Sequence, residues 1–179
     1  MHQDIERILL TEDQIKNRIR ELGKELTADY AGKEPIFIGV LKGVVVFYAD
    51  MIRAFEDHCQ LDFMWISSYD GTQSTGNIRV KQDVKSDLTG RHVVILEDIL
   101  DTGRSLQFVK QHLLDKGAAS VRVCTLLDKP EGRLPGFNIQ ADYVGFTIPN
   151  AFVVGFGLDY NEKYRNLPYV GILKPQVYQ

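Results

Sequence analysis

The sequence predicts an α/β fold, a central and mostly parallel sheet flanked by helices, and three observations lead to it. Short apolar runs of strand type alternate along the chain with stretches of helical periodicity. The run from His92 to Leu96 is apolar on both faces, as a central parallel strand requires. The chain has 179 residues, 44% of them hydrophobic and 25% charged, with no repeat, low-complexity tract or linker, so residues 1–179 are expected to form one domain.

Taken in order, Thr11 to Asp29 reads as an amphipathic helix. Ile15, Ile19, Leu22 and Leu26 recur at helical spacing, Thr11 and Gln14 form a capping box, and Gly32 and Pro35 end the segment. Ile36 to Val40 is a short apolar strand, and after Lys42-Gly43 the positions Val44, Phe47, Met51 and Phe55 mark a second helix. Leu61 to Ser67 and Ile78 to Lys85 read as strands, and the polar, aperiodic stretch from Ser68 to Asn77 between them reads as a mobile loop. The central strand follows, then a helix from Gly103 to Asp115 closed by Gly117, then a strand from Ser120 to Leu127. Asp128 to Gln140, with two prolines and two glycines, is expected to be loop; Tyr143 to Ile148 and Val153-Val154 return to strand type.

Charge and cysteine content exclude several functions. With 21 Lys+Arg against 24 Asp+Glu the net charge is −3, too acidic to hold nucleic acid or an anionic membrane by bulk charge. Cys59 and Cys124 stand far apart without a C-x-x-C or histidines at ligand spacing, which predicts two buried, reduced thiols. The start of the chain has no basic stretch leading into an apolar one, and the longest apolar run, Val44 to Ala49, is far too short to span a bilayer. A cytoplasmic location is the expectation.

In open α/β sheets ligands bind beyond the carboxyl ends of the strands. The loop expected there, after Leu96, reads Glu97-Asp98-Ile99-Leu100-Asp101-Thr102-Gly103-Arg104-Ser105. Thr102, Gly103 and Ser105 offer hydroxyls and unobstructed amides at a helix start, a site for phosphate. Carboxylates beside a phosphate repel it unless they meet sugar hydroxyls or a bound Mg²⁺, so the loop points to a phosphorylated sugar with a metal ion. Other nucleotide motifs fail. Gly71-x-x-x-x-Gly76 is followed by Asn77-Ile78 in place of Lys-Ser/Thr, and no G-x-G-x-x-G follows any strand.

The segment from Val93 to Leu106 resembles the phosphoribosyl-pyrophosphate signature of the type I phosphoribosyltransferases. Three further segments narrow the resemblance: Leu41-Lys42-Gly43, Ser68-Tyr69 with Ser74-Thr75-Gly76, and Val153-Val154-Gly155-Phe156-Gly157-Leu158-Asp159-Tyr160-Asn161-Glu162 with Arg165. Together they are similar to the hypoxanthine-guanine phosphoribosyltransferases, over about Pro35 to Ile172. The resemblance implies the type I phosphoribosyltransferase fold with a small hood over the purine. It implies transfer of 5-phosphoribose from phosphoribosyl pyrophosphate to a 6-oxopurine, hypoxanthine and guanine, with Mg²⁺, and a homodimer or homotetramer.

The roles of single residues come from the same resemblance. Glu97 and Asp98 match the pair that holds the ribose hydroxyls and, directly or through water, Mg²⁺. Asp101 matches the residue facing the imidazole side of the purine, where it takes or shares the proton lost on glycosylation, and Thr102, Gly103, Arg104 and Ser105 match the cradle of the 5-phosphate. Lys129 matches the lysine on the exocyclic oxygen, Phe152 the aromatic stacked on the base, and Val153 a backbone contact to the purine edge. Asp159 matches a purine-site residue that reaches a second metal ion. Lys42 and Gly43 match the pyrophosphate loop, with a non-proline cis peptide at Leu41–Lys42, and Arg165 a second pyrophosphate contact. The Ser68–Asn77 loop, with Ser68 and Tyr69, is the segment expected to close over the site and exclude water. Arg104 and Leu100 stand where many members have Lys and Ile. The rival readings are an enzyme preferring xanthine or guanine, and an RNA-binding regulator on the same fold, which would need a basic face that this sequence lacks.

Overall fold

The computed structural model describes residues 1–68 and 78–179. In chain order the elements are β1 (Ile5–Leu10), α1 (Glu12–Asp29), β2 (Ile36–Leu41), α2 (Val45–Ala54), β3 (Gln60–Ser68), β4 (Ile78–Gln82), β5 (His92–Leu100), α3 (Arg104–Asp115), β6 (Ser120–Asp128), β7 (Tyr143–Thr147), β8 (Val153–Val154), β9 (Val170–Leu173) and α4 (Pro175–Tyr178). Six strands form the main sheet in the order β4-β3-β2-β5-β6-β7. All its pairings are parallel except that of the edge strand β4 with β3.

The sheet is sealed on both faces because residues alternate along its central strands. Phe37, Val94 and Leu96 point into one core with Ile15, Ile19, Leu22 and Leu26 of α1 and Phe47 and Met51 of α2. Their neighbours Ile36, Ile38, Val93 and Ile95 point into the other, against Leu106, Val109 and Leu113 of α3. The capping box forms as the sequence predicts: Gln14 N–H donates to Thr11 Oγ1 at 3.3 Å, and Thr11 N–H donates to Gln14 Oε1 at 2.9 Å.

Three features depart most from expectation. β5 does not stop at Leu96 but runs to Leu100, since Glu97, Ile99 and Leu100 pair in register with Thr125, Leu127 and Asp128 of β6. The acidic pair is therefore held on a strand, and the loop shrinks to Asp101–Gly103. β4 ends at Gln82 rather than Lys85 because the amides of Lys85 and Ser86 donate to the Asp62 carboxylate, at 2.8 and 2.7 Å, instead of to a strand. The third is a second sheet, β1-β9-β8, antiparallel throughout, which the sequence periodicity does not place. Both cysteines are free, but only Cys124 is fully buried; Cys59 is half-buried. The Ser68–Asn77 loop, Tyr69 included, lies outside the described residues except for Ser68, which ends β3 in register with Ile78.

Candidate active site

The carboxyl end of β5 and the start of α3 form the floor of the site. α3 begins at Arg104 with Gly103 as N-cap in the left-handed conformation (φ 83°), and no side chain caps it. Its first amides are thus directed at whatever anion lies before the helix. Thr102 and Ser105 are exposed there, while the Arg104 guanidinium lies over the Phe137 ring at 5.6 Å.

Glu97 and Asp98 sit just before this turn. Burial holds the Glu97 carboxyl well above its ordinary value of 4.5, and the neighbouring Asp98 adds to the shift. Burial also raises Asp98, against the opposing pull of Glu97, of the Ile99 N–H (2.8 Å) and of Arg165. Two adjoining carboxyls that resist ionisation, Asp98 buried and Glu97 half-buried, suit a hard divalent cation, which would offset the charge that desolvation disfavours. Among the described residues no group of three or more His, Cys, Asp or Glu side chains converges, so Asp159 does not join this pair.

Asp159 is instead tied to its own loop. Its Oδ1 pairs with Arg165 Nη2 at 2.9 Å and its Oδ2 accepts from Glu162 N–H at 2.9 Å. The surrounding segment is unusually contorted: Gly155, Phe156, Gly157, Asn161, Glu162 and Tyr164 all have positive φ. Arg165 Nη1 donates to Gly157 O at 2.8 Å, and its Nε is buried without a partner among the described residues, as a group reserved for an anion would be. This loop meets the Lys42-Gly43 loop directly. The Cα of Gly43 faces Asp98 Oδ2, and that of Gly157 faces Gly43 O, so a methyl on either would collide. The Leu41–Lys42 peptide is cis, as expected. Lys42 Nζ reaches Glu162 Oε1 at 3.2 Å and lies over the Trp65 ring at 5.9 Å.

On the other side of Asp101 lies a second group of residues. Lys129, only 12% exposed, places Nζ 2.7 Å from Asp101 Oδ2, so two residues separated in sequence by helix α3 and strand β6 form one ion pair. Phe152 is exposed, stacked on Tyr178 of α4 with centroids 4.6 Å apart and edge-on to Tyr160 at 5.6 Å. Val153 pairs with Ile172 in the small sheet, and Phe152 O accepts from Leu173 N–H at 2.9 Å. The structure thus gathers Lys42, Gly43, Glu97, Asp98, Asp159 and Arg165 on one side, with the Asp101–Lys129 pair on another. The sequence reading missed Glu162, Tyr178 and Arg133 as contributors. Only Glu162 had a signal, its place in the Asp159-to-Arg165 segment.

A phosphoribosyl transferase domain model matches residues 8–161. A hypoxanthine-guanine phosphoribosyltransferase of Streptococcus pneumoniae is 51% identical over 99% of this chain and 98% of its own length. The crystal structure of a hypoxanthine phosphoribosyltransferase from Staphylococcus aureus superposes with a TM-score of 0.95 at 47% identity, covering 100% of this chain and 97% of that one. A hypoxanthine-guanine-xanthine phosphoribosyltransferase superposes at 0.87 with 40% identity, over 96% of this chain and 99% of that one. With the signature strand, the uncapped helix and the Asp101–Lys129 pair all in place, the chain belongs to the hypoxanthine-guanine phosphoribosyltransferase family.

Proposed function

We propose that the chain transfers the 5-phosphoribosyl group of phosphoribosyl pyrophosphate to a ring nitrogen of hypoxanthine, and of guanine, releasing pyrophosphate. The observation that carries the assignment of base is the 2.7 Å Asp101–Lys129 pair. An ammonium binds the exocyclic oxygen of a 6-oxopurine, and an amino group at that position offers it nothing. Asp101 then lies on the imidazole side of the same base, where it takes the proton that leaves as the glycosidic bond forms. Phe152, braced by Tyr178, stacks on the base.

The sugar-phosphate half divides the remaining work. Amides at the start of α3 hold the 5-phosphate, with Thr102 and Ser105 beside them. Breaking the bond to pyrophosphate builds positive charge on the ribose near Glu97 and Asp98, and negative charge on the leaving group near Lys42 and Arg165. The raised, adjoining carboxyls of Glu97 and Asp98 support a Mg²⁺ at this position, with Asp159 able to reach a second; when bound, the ion supplies positive charge toward the pyrophosphate. The Ser68–Asn77 loop is the segment proposed to exclude water. No helix among the described residues is long and apolar enough to cross a membrane, and a cytoplasmic homodimer or homotetramer is the setting we propose.

A spectrophotometric assay of the purified protein with phosphoribosyl pyrophosphate, Mg²⁺ and each purine in turn tests this directly. Turnover with hypoxanthine and guanine, none with adenine, and loss of turnover on chelation are expected. No product with any 6-oxopurine would overturn the reading, and a xanthine rate above both others would move it to the rival base preference.

A further inference from the structure

Residues 129–134, after β6, run alongside the end of β5. Lys129 N–H donates to Leu100 O at 3.0 Å, and Leu134 N–H donates to Thr102 O at 3.2 Å. Between these two bonds Arg133 turns inward and is only 17% exposed. Its Nη1 donates to Leu100 O at 2.7 Å, to Asp101 O at 2.7 Å and to Lys129 O at 3.2 Å; its Nη2 pairs with the Asp128 carboxylate, and its Nε reaches Ile139 O at 3.4 Å. One guanidinium thus gathers the carbonyls of Asp101, of the residue before it, and of Lys129. A planar fork with five donors can satisfy such a set, and a lysine ammonium with three cannot.

The residue before it completes the arrangement. The Cα of Gly132 lies against Asp101 Oδ1, and a methyl there would also press Lys129 Cε at 3.0 Å. Gly132 therefore lets the Asp101 carboxylate occupy the space a side chain would take, while Arg133 fixes the backbone that carries it. We propose that Arg133, assisted by the bare Cα of Gly132, is a positioning residue that sets Asp101 and Lys129 at the separation a purine needs. This rests on the roles proposed above for those two residues. The device acts on the base and not on the sugar phosphate, because every carbonyl it holds belongs to the end of β5, to Lys129 or to the same loop. A displacement of about 1 Å at a proton acceptor can lower turnover roughly a hundredfold.

The test is steady-state kinetics of Arg133→Gln, Arg133→Lys and Gly132→Ala, with hypoxanthine and phosphoribosyl pyrophosphate varied separately, and with melting temperatures recorded. All three variants are expected to lose about tenfold or more in kcat and to raise KM for hypoxanthine several-fold, with KM for phosphoribosyl pyrophosphate within about twofold of wild type. Arg133→Lys should not rescue, because charge alone does not replace the fork. Folded Arg133 variants with wild-type kcat and hypoxanthine KM would overturn the proposal, as would equal rises in both KM values. Should the Arg133 variants fail to fold, Gly132→Ala, which keeps the guanidinium, decides by the same two criteria. Wild-type protein without 6-oxopurine activity would overturn the underlying reading and the proposal with it, whereas an active wild type with unaffected variants overturns the proposal alone.

Discussion

The two halves of the site are built in opposite ways. The proposed sugar-phosphate floor, Glu97 to Ser105, is one unbroken stretch passing from strand to turn to helix, and its geometry follows from two regular elements and a left-handed glycine. The half proposed to face the base has no such unit. Lys129 comes from the loop after β6, Val153 from a two-residue strand, Phe152 from the residue before it, and Tyr178 from the last helix. The difference teaches that phosphate recognition can be local, since a helix start supplies it, while reading a flat heterocycle needs edges and faces that a single segment cannot present.

Asp101 stands at the hinge between the halves. Asp101→Asn is expected to lower kcat by about 10²- to 10⁴-fold while the dissociation constant for phosphoribosyl pyrophosphate stays within about twofold, measured by turnover and by isothermal titration. Unchanged turnover would mean the base-facing half does not take the proton there. Lys129→Gln should be next in size, lowering kcat/KM for hypoxanthine by about tenfold to a hundredfold and narrowing the preference for oxopurines over adenine, because it also leaves Asp101 without its partner.

Glu97 sharpens the other half through pH. Its carboxyl is raised above the ordinary value of 4.5 in the folded protein, so its contribution to stability is full below that value and is lost as pH climbs through the folded value. Wild type should therefore lose more melting temperature than Glu97→Gln between about pH 4.5 and neutrality in metal-free buffer, and added Mg²⁺ should close the gap. Parallel melting curves for the two proteins would show that Glu97 titrates normally. The smallest effect is expected at Tyr178→Ala, which removes the ring behind Phe152. KM for hypoxanthine should rise about two- to tenfold with kcat nearly unchanged, the scale of one aromatic contact.

The same contrast explains what could be read from the residues. Strand β5, helix α3 and the capped helix α1 announce themselves because their periodicity and caps are local. β1 does not: Ile5, Ile8, Leu9 and Leu10 fail to alternate, and its pairing with β9 carries register shifts between Ile5 and Arg7 and between Ile8 and Leu10. β9 is four residues with a glycine inside, below what pattern alone can distinguish. The extension of β5 through Glu97 and Asp98 is hidden because carboxylates look like loop, and only the facing strand β6 shows that they are paired. Arg133 has no signal at all. In a stretch rich in glycine and proline it reads as a solvated charge, and its role exists only once five of its neighbours are brought to it.

The small sheet joins Ile5 to Leu173 and Leu10 to Val170, so the first strand of the chain waits for nearly the last. A ribosome delivers the phosphate floor and all six strands of the main sheet before residue 150, yet the small sheet cannot form until β9 leaves the exit tunnel. During synthesis the phosphate floor and the Asp101–Lys129 pair thus emerge first, and the Asp159–Arg165 loop and the small sheet that carries Val153 come last. A chain stopped after Tyr169 would carry the whole of β5 and α3 but lack the strand that pairs with Val153 and the Tyr178 ring behind Phe152.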